Sequence, residues 1–319
     1  MEPVRWGILS TARINHAVLE PARETETADV IAVASRNQDR ADAYAARHGI
    51  PRALRSYEAL LADPDVEAVY ISLPNGLHGA WSIRALEAGK HVLCEKPLSR
   101  RPDEVERAFE IADREGLLLM EAFMYRHHSQ TRTLAETIAT GGIGELRQLH
   151  ASFSFMLTDK SDVRLSPELD GGALMDLGCY CINGCRLLAG EPEAVLGFQH
   201  VGPTGIDLRF DALLRFANDT FAEFHCAFDL PEGEVLEAIG SEGRVLVPQP
   251  FRCLEPHLEL NGEWIDVEDV DRYLLQLENF SAAVRGEAEP LLGRADALGQ
   301  ARTIDALYRS ATSGVAVSL

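Results

Sequence analysis

The sequence is short of positive charge: 30 lysine and arginine residues stand against 50 aspartate and glutamate residues, for a formal net charge of −20 at pH 7. This excess of acid argues against nucleic acid or an anionic membrane as a partner, because both attract basic surfaces. Long apolar runs are also missing, and none approaches the length that spans a bilayer. Because no charged and then apolar leader precedes the first strand, we expect a cytoplasmic protein.

Cysteine is too scarce for a disulfide framework, with six residues in a chain of 319. Cys179, Cys181 and Cys185 lie close together, which raises the alternative of a zinc site. Their spacing contains no Cys-x-x-Cys pair and the segment has a helical pattern, so we predict buried free thiols instead. We predict no metal site.

The N-terminal part of the chain alternates short apolar runs with helical segments. The runs start at Val4 and continue with Val30 to Ala34, Ala68 to Leu73, Val92 to Cys94 and Leu117 to Met120. The helical segments are Gln38 to His48, Tyr57 to Ala62, Gly79 to Ala88 and Pro102 to Glu115. This alternation predicts a parallel sheet built from βαβ units.

A turn of small residues follows the first strand and is typical of a loop that binds a dinucleotide. Gly7 is present, whereas Ser10 and Ala12 stand where further glycines are expected. The second strand ends in a Ser-Arg pair, where a carboxylate would bind the ribose of NAD and an arginine suits the 2′-phosphate of NADP. Arg36 and Arg40 are one helical turn apart and can face the same anion. The alternative is that Arg36 is an exposed loop charge.

Lys96 follows the run that ends at Cys94, and this is where an open α/β sheet places its ligands. Pro97 stops the strand and fixes the turn that aims the lysine. We expect the Lys96–Pro97 peptide bond to be cis, since cis prolines tend to occur in tight functional turns. The alternative is a surface turn that happens to contain a charged pair.

The C-terminal part has longer runs with a period of two and few helices, which predicts a mostly antiparallel sheet. The strands are Leu146 to Phe155, Ala194 to Val201, Asp207 to Arg215, Thr220 to Phe228 and Val235 to Gly240. Helices are predicted at Gln130 to Thr140, Gly172 to Leu188 and Arg294 to Ser313. The predicted fold is therefore α/β, with a doubly wound Rossmann domain at residues 1–122 and an α+β domain at residues 123–319.

The helix predicted at Gly172 to Leu188 carries polar residues on an otherwise apolar face. Asp176, Tyr180 and Asn183 are spaced by four and three residues and share that face. One interpretation is a core helix with its polar groups bonded internally. The other is a functional site, because an acid, a phenol and an amide on one face of an otherwise apolar helix need an explanation.

The order of these motifs resembles the Gfo/Idh/MocA family of NAD(P)-dependent oxidoreductases over essentially the whole chain. The segment from Ala88 to Pro97 is the most specific match. Tyr180 stands where the family commonly has histidine, and this departure resembles the branch of dimeric dihydrodiol dehydrogenase and NADP-dependent D-xylose 1-dehydrogenase. The segments from Trp6 to Ala12, Asp162 to Leu165 and Gly171 to Asn183 also resemble that branch.

The resemblance implies a Rossmann domain, a second domain with a large open sheet, and NADP as the cofactor. Candidate catalytic residues are Lys96, Tyr180 and Asp176. Candidate substrate-binding residues are Arg126, His127, Arg164, Asp176, Tyr180 and Asn183. Candidate cofactor-binding residues are Gly7, Leu9, Ser10, Thr11, Ala12, Arg13, Ile14, Ser35, Arg36, Arg40, Leu73, Pro74, Asn75, His78, Glu95, Lys96 and Pro97.

The implied reaction is hydride transfer between the anomeric carbon of an aldopyranose and the nicotinamide, with Tyr180 as acid/base beside Lys96. Oxidation of a trans-dihydrodiol and reduction of a keto sugar are alternatives, because the same acid/base works in both directions. A non-catalytic NADP-binding regulator is an alternative of another class, although a sensor has no need of Lys96, Asp176 and Tyr180 together. Relatives also lead us to expect a homodimer or homotetramer through the C-terminal sheet.

Overall fold

The computed structural model describes residues 2–319. Its first sheet has six parallel strands in the order β3-β2-β1-β4-β5-β6, which confirms the predicted Rossmann arrangement. The central strands are short apolar runs with almost every side chain buried, as expected where helices cover both faces of a parallel sheet. The strands are β1 (Val4–Leu9), β2 (Ala28–Ala34), β3 (Arg52–Leu54), β4 (Ala68–Ile71), β5 (His91–Cys94) and β6 (Leu119–Glu121).

Helices follow the strands of this sheet. The side chain of Asn37 accepts a hydrogen bond from the Arg40 N–H and so caps the helix after β2, which ends at Gly49 with a φ of 72°. The helices are α1 (His16–Leu19), α2 (Pro21–Glu24), α3 (Gln38–His48), α4 (Tyr57–Leu61), α5 (His78–Glu87) and α6 (Pro102–Glu115).

The second sheet has nine strands in the order β14-β13-β12-β11-β7-β10-β9-β8-β15. Its neighbours are antiparallel except for the parallel pair of β7 and β10, so the predicted mostly antiparallel sheet is confirmed. The strands are β7 (Leu146–Ser154), β8 (Ala194–Val201), β9 (Asp207–Arg215), β10 (Phe221–Ala227), β11 (Gly233–Gly240), β12 (Arg244–Pro248), β13 (His257–Leu260), β14 (Glu263–Asp266) and β15 (Val317–Ser318).

The remaining helices include one irregular segment. They are α7 (Ser129–Ala139), α8 (Cys179–Ala189), α9 (Arg272–Val284) and α10 (Arg294–Ser313). A π-helical segment at Leu174–Gly178 leads directly into α8. The prediction of one regular helix from Gly172 to Leu188 is therefore wrong in its first turns.

Two compact units divide the chain, each made of three segments. The first contains the residues up to Ser99 together with Asp103–Met124 and Asp271–Leu298. The second contains Arg100–Pro102, Tyr125–Val270 and Gly299–Leu319. The boundary predicted between residues 122 and 123 treats each domain as one continuous segment, whereas α9 lies in the unit of the Rossmann sheet.

Several local predictions need correction. The strand predicted to reach Leu73 ends at Ile71. The next residue, Ser72, donates a hydrogen bond from its hydroxyl to Asn15 Oδ1, in the segment after β1. The short strands β3, β12, β13, β14 and β15 and the helix α9 are absent from the sequence prediction. All six cysteines are free and buried, which confirms the prediction made for Cys179, Cys181 and Cys185, and burial raises the pKa of the Cys185 thiol to about 12.

Candidate active site

The loop after β1 has the backbone of a glycine-rich loop without its glycines. Ser10 has a φ of 137°, a backbone conformation that residues other than glycine rarely adopt. Its carbonyl accepts a hydrogen bond from Asn15 Nδ2 at 3.0 Å, and its Oγ accepts one from the Ala12 N–H at 3.0 Å. Ser72 Oγ donates to Asn15 Oδ1 at 2.5 Å, so the Ser10 hydroxyl donates to Ser72 Oγ across 2.8 Å. This network, which is largely buried, fixes the conformation of the loop.

Two of the predicted cofactor residues lie within β1. A Cβ on Gly7 would come within 2.7 Å of Leu60 Cδ2, so the glycine allows α4 to pack against the strand. Leu9 is fully buried, and its side chain belongs to the core. The loop residues that follow are at least partly exposed: Thr11, Ala12, Arg13 and Ile14.

A cationic cavity of about 510 Å³ opens beside this loop, within the first unit. It brings Arg13 of the loop together with Arg40 and Arg47 of α3. The rest of its wall is formed by Thr11, Ala12, His16, Ala43, Tyr44 and His48. Three arginines in a protein of net charge −20 concentrate positive charge at this cavity, and planar guanidinium groups are suited to pairing with a phosphate.

Sequence reasoning missed five of the lining residues: His16, Ala43, Tyr44, Arg47 and His48. A signal was available, because positions 40, 44 and 47 recur on one face of α3. The Tyr44 ring lies 4.3 Å from the ring of His48, so the two aromatic side chains of this wall support each other.

The turn after β2 holds the other arginine predicted to bind the 2′-phosphate. Arg36 is exposed and hydrogen-bonds to Tyr57, while Ser35 is buried and its Oγ accepts from the Asn37 N–H at 3.3 Å. Burial raises the pKa of Tyr57, and Arg36 and Arg40 oppose this rise because they stabilise the phenolate. Both arginines therefore act on the same small region of the first unit.

His78 ties together the turns after β4 and β5. Its Nδ1 lies 2.9 Å from the Pro97 carbonyl and its Nε2 lies 2.6 Å from the Leu73 carbonyl. Burial, with a contribution from Lys96, lowers the pKa of this histidine. Both ring nitrogens thus contact the backbone, and the ring holds the two turns in register. Pro74 and Asn75 remain partly exposed beside it.

Lys96 lies directly after β5 and is partly buried, and the Lys96–Pro97 peptide bond is cis, as predicted. The neighbouring Glu95 accepts a hydrogen bond from the hydroxyl of Tyr70. Tyr273, in the first turn of helix α9, which the sequence analysis missed, also interacts electrostatically with both Glu95 and Lys96. Burial, assisted by Glu95, raises the pKa of Tyr273 to about 12, so this phenol stays protonated at neutral pH.

In the second unit, the π-helical segment carries Asp176, and α8 carries Tyr180 and Asn183. Arg164 binds Asp162 through Nε and Nη2, both at 2.9 Å, and Asp176 through Nη1 at 3.3 Å. Ion pairing with Asp162 raises the pKa of Arg164, so its charge is permanent. Arg164 therefore fixes the carboxylate of Asp176 one helical turn before Tyr180.

Asn183 is fully buried and anchors two side chains of the preceding segment. Its Oδ1 accepts from the Tyr125 hydroxyl at 2.6 Å and from Arg126 Nη1 at 3.1 Å. His127 is 5% exposed, and burial, with the nearby charges of Arg126 and Arg132, lowers its pKa to about 3. The imidazole of His127 is therefore neutral at physiological pH.

Tyr180 belongs to an aromatic cluster that the sequence did not reveal. Its ring centroid lies 5.9 Å from that of Tyr125, 5.6 Å from Phe153 and 5.5 Å from Phe251. The buried carboxylate of Glu234 accepts a hydrogen bond from the Phe251 N–H at 3.1 Å. The cluster restricts the ring of Tyr180, which is 7% exposed.

Lys96 belongs to the first unit, whereas Arg126, His127, Arg164, Asp176, Tyr180 and Asn183 belong to the second. Within residues 2–319, no group of three or more histidine, cysteine, aspartate or glutamate side chains is arranged to hold a metal ion. Over the same residues, no helix combines the length and apolar character needed to cross a membrane.

Comparison with protein families gives two matches. The family model described as the Gfo/Idh/MocA oxidoreductase family with an NAD-binding Rossmann fold matches residues 4–123. The model described as the Gfo/Idh/MocA C-terminal domain matches residues 131–246.

Named relatives match nearly the full length of the chain. D-xylose 1-dehydrogenase (NADP(+)) 2 of Haloferax volcanii is 38% identical over 98% of this chain and 99% of that protein. Human trans-1,2-dihydrobenzene-1,2-diol dehydrogenase is 34% identical over 82% of this chain and 78% of that protein. A solved structure of a 3-ketoreductase from Actinomadura kijaniata, in complex with NADP and TDP-benzene, has a TM-score of 0.91 and 34% identity, covering 97% of this chain and 98% of that one.

Proposed function

We propose, since the chain belongs to the Gfo/Idh/MocA oxidoreductase family, that it is an NADP-dependent sugar dehydrogenase that oxidises an aldopyranose at the anomeric carbon. The observation that carries the proposal is the placement of Tyr180 in an aromatic cluster, one helical turn after the fixed Asp176–Arg164 pair. The relative named D-xylose 1-dehydrogenase (NADP(+)) 2 supports this substrate class.

The residues of the first unit fit NADP. Arg13, Arg40 and Arg47 line a cavity of about 510 Å³, and the positive φ of Ser10 in the loop after β1 supports the assignment of this loop to the pyrophosphate. Arg36 lies at the end of β2, where the 2′-phosphate distinguishes NADP from NAD. When bound, NADP supplies the acceptor for the hydride.

Tyr180 is the proposed acid/base. An unperturbed phenol has a pKa near 10. Neutral pH lies about three units below this pKa, so the phenol is mostly protonated and is a poor base. An ammonium beside it favours the phenolate, and Lys96 is the proposed source of that charge. During oxidation Tyr180 takes the hydroxyl proton of the sugar, and during reduction it returns a proton to the same oxygen. Asp176, held by Arg164, orients the substrate through its carboxylate.

Reduction of a keto sugar is the second candidate, supported by the 3-ketoreductase neighbour, whose fold this chain shares over 97% of its length. The dihydrodiol dehydrogenase relatives support a third substrate of the same reaction type. A non-catalytic regulator would bind NADP in the first unit with no need of Asp176 and Tyr180.

The test is a substrate panel read at the nicotinamide absorbance: aldopyranoses with NADP⁺, trans-dihydrodiols with NADP⁺, and keto sugars with NADPH. We expect the highest kcat/KM with an aldopyranose. Higher values with a keto sugar or a dihydrodiol would replace the proposed substrate. NADPH binding without turnover of any of them would favour the regulator.

We also propose that the chain forms a homodimer or homotetramer through the open face of the second sheet. Phe198 of β8, Leu213 of β9 and Phe221 of β10 are 58%, 48% and 45% exposed on adjacent strands. Exposed apolar side chains grouped on one face of a sheet can mark an interface. Leu213→Asp should shift the mass measured by light scattering to that of a monomer, while Val163→Asp, at an exposed position outside the sheet, should leave it unchanged. A monomeric wild-type protein would refute the proposal.

A further inference from the structure

A buried carboxylate caps the helix that carries the proposed acid/base. Asp207, the first residue of β9, is 3% exposed. Its Oδ2 accepts a hydrogen bond from the Leu174 N–H at 2.7 Å, and its Oδ1 accepts one from the Tyr308 hydroxyl at 2.9 Å. Leu174 begins the π-helical segment, where N–H groups have no partner within the helix. Asp207 therefore supplies an N-cap from a distant strand.

The chain is shaped locally to admit this carboxylate. Gly172 has a φ of 125°, and a Cβ there would come within 2.2 Å of Asp207 Oδ1. Gly171 is similarly confined, since its Cβ would come within 2.3 Å of the Arg164 carbonyl. The paired glycines of the sequence motif thus let Asp207 and Arg164 approach the start of the helix from two directions.

The surroundings of Asp207 bring the pKa of its carboxyl closer to neutral pH. Burial raises the pKa of its carboxyl to about 6, although the hydrogen bonds from Leu174 and Tyr308 oppose the shift. Three titratable or charged side chains from neighbouring segments face the Asp207 carboxyl: Tyr308 from α10, Cys226 from β10, and Arg100. The Arg100 guanidinium lies 5.3 Å from the Tyr308 ring. Burial and Asp207 together raise the pKa of Tyr308 well above its usual value, so the phenol remains a donor.

A helix cap made by an ionised carboxylate is stronger than one made by a neutral group, because the hydrogen bond is charge-assisted and the helix dipole favours a negative charge at the N-terminus. Asp176 lies two residues after the capped N–H, and Tyr180 lies one turn further. The position of both side chains depends on the geometry of this first turn.

We propose that Asp207 is a positioning residue for the reaction, which holds the first turn of the helix so that Asp176 and Tyr180 keep their working geometry. The inference rests on the proposed function for its kinetic consequence. It assigns Asp207 no contact with substrate or cofactor.

The test compares Asp207→Asn with wild type. Asparagine has the same shape, and its amide accepts from Leu174 and donates to Tyr308, so the fold should persist. We expect kcat to fall about tenfold, which corresponds to about 1.4 kcal/mol, with the Kd for NADPH unchanged. Wild-type kcat should show an acid limb near pH 6 from the Asp207 carboxyl, and that limb should be absent in Asp207→Asn, because the group that titrates there is gone.

Thermal stability separates this role from a purely structural one. A carboxyl whose pKa is raised on folding costs stability once it ionises, so wild type loses stability as pH rises from about 4 to about 6. Asp207→Asn should therefore have a Tm at pH 8 that is equal to or above that of wild type, despite its lower kcat. A kcat within twofold of wild type, or an acid limb that survives the substitution, would overturn the proposal.

Two further variants keep the result interpretable. Asp305→Asn, in an exposed ion pair on α10, is the matched control and should leave kcat and Tm unchanged. Asp207→Ala should speed amide hydrogen exchange in the peptide that covers residues 173–180, a readout that needs no substrate. Faster exchange in an enzyme that turns over none of the sugars would support the cap and refute the proposed function. Unchanged exchange would overturn the cap itself.

Discussion

Replacement of Gly172 by alanine is the most direct structural test of the contacts at the start of the helix that carries the proposed acid/base. The new Cβ would lie 2.2 Å from Asp207 Oδ1 and 3.2 Å from the Tyr308 hydroxyl, at a φ of 125°. Backbone strain of this kind costs about 1–3 kcal/mol, and loss of an N-cap costs about 0.5–2 kcal/mol. We therefore expect the free energy of unfolding to fall by about 2–5 kcal/mol, measured by urea denaturation with far-UV circular dichroism.

Two other glycines separate the components of this loss. Gly190 has a φ of 83° with no atom within 4 Å of its Cβ position, so Gly190→Ala should show strain alone. Gly233 has neither a positive φ nor a close neighbour, and Gly233→Ala should be neutral or stabilising by up to about 1 kcal/mol. If Gly172→Ala lost no more stability than Gly190→Ala, the contact with Asp207 would not be a tight one and the reasoning would be refuted.

Three other substitutions test separate parts of the site. Arg36→Asp should weaken NADP⁺ far more than NAD⁺ in fluorescence titrations, and an equal effect on both would contradict the 2′-phosphate assignment. Glu234→Ala should lower the free energy of unfolding by about 3 kcal/mol, because it leaves Arg252 and the Phe251 N–H without their buried acceptor. An unchanged urea midpoint would count against this structural role of Glu234. His127→Gln should leave both limbs of the pH–rate profile in place, since the pKa of His127 is already about 3.

The sequence predicted the architecture because the burial of a strand determines its pattern of apolar and polar residues. The strands of the Rossmann sheet are buried on both faces and read as continuous apolar runs, while β9 alternates buried residues such as Phe210 with exposed ones such as Leu213. Short strands carry too few residues for a period to be visible. Helix α9 did leave a signal, since Asp271 caps it by accepting from the Tyr273 N–H at 2.8 Å.

The parts of the site that escaped prediction depend on contacts distant in sequence. Ser10 keeps a glycine-like φ because Ser72 and Asn15 bond to it, and neither is recognisable as a partner from local pattern. The π-helical segment at Leu174–Gly178 likewise starts where the Leu174 N–H donates a hydrogen bond to Asp207, 33 residues along the chain. Such features arise where tertiary contacts override local preference, and π-helical turns frequently mark functional sites.

The assignment of Tyr180 as acid/base and Lys96 as its cation is the central claim, and the pH–rate profile tests it most directly. The profile is measured on one good substrate for wild type, Tyr180→Phe, Lys96→Met and the matched variant Tyr125→Phe. Tyr125→Phe removes a hydroxyl from the same aromatic cluster and should lower kcat less than tenfold. Tyr180→Phe should lower kcat by about 10² to 10⁴ with NADPH binding intact. Lys96→Met should lower kcat severely and move the limb assigned to the tyrosine to higher pH, because the ammonium no longer lowers the pKa of the phenol. Retention of most activity by Tyr180→Phe, or an unmoved limb in Lys96→Met, would contradict the account.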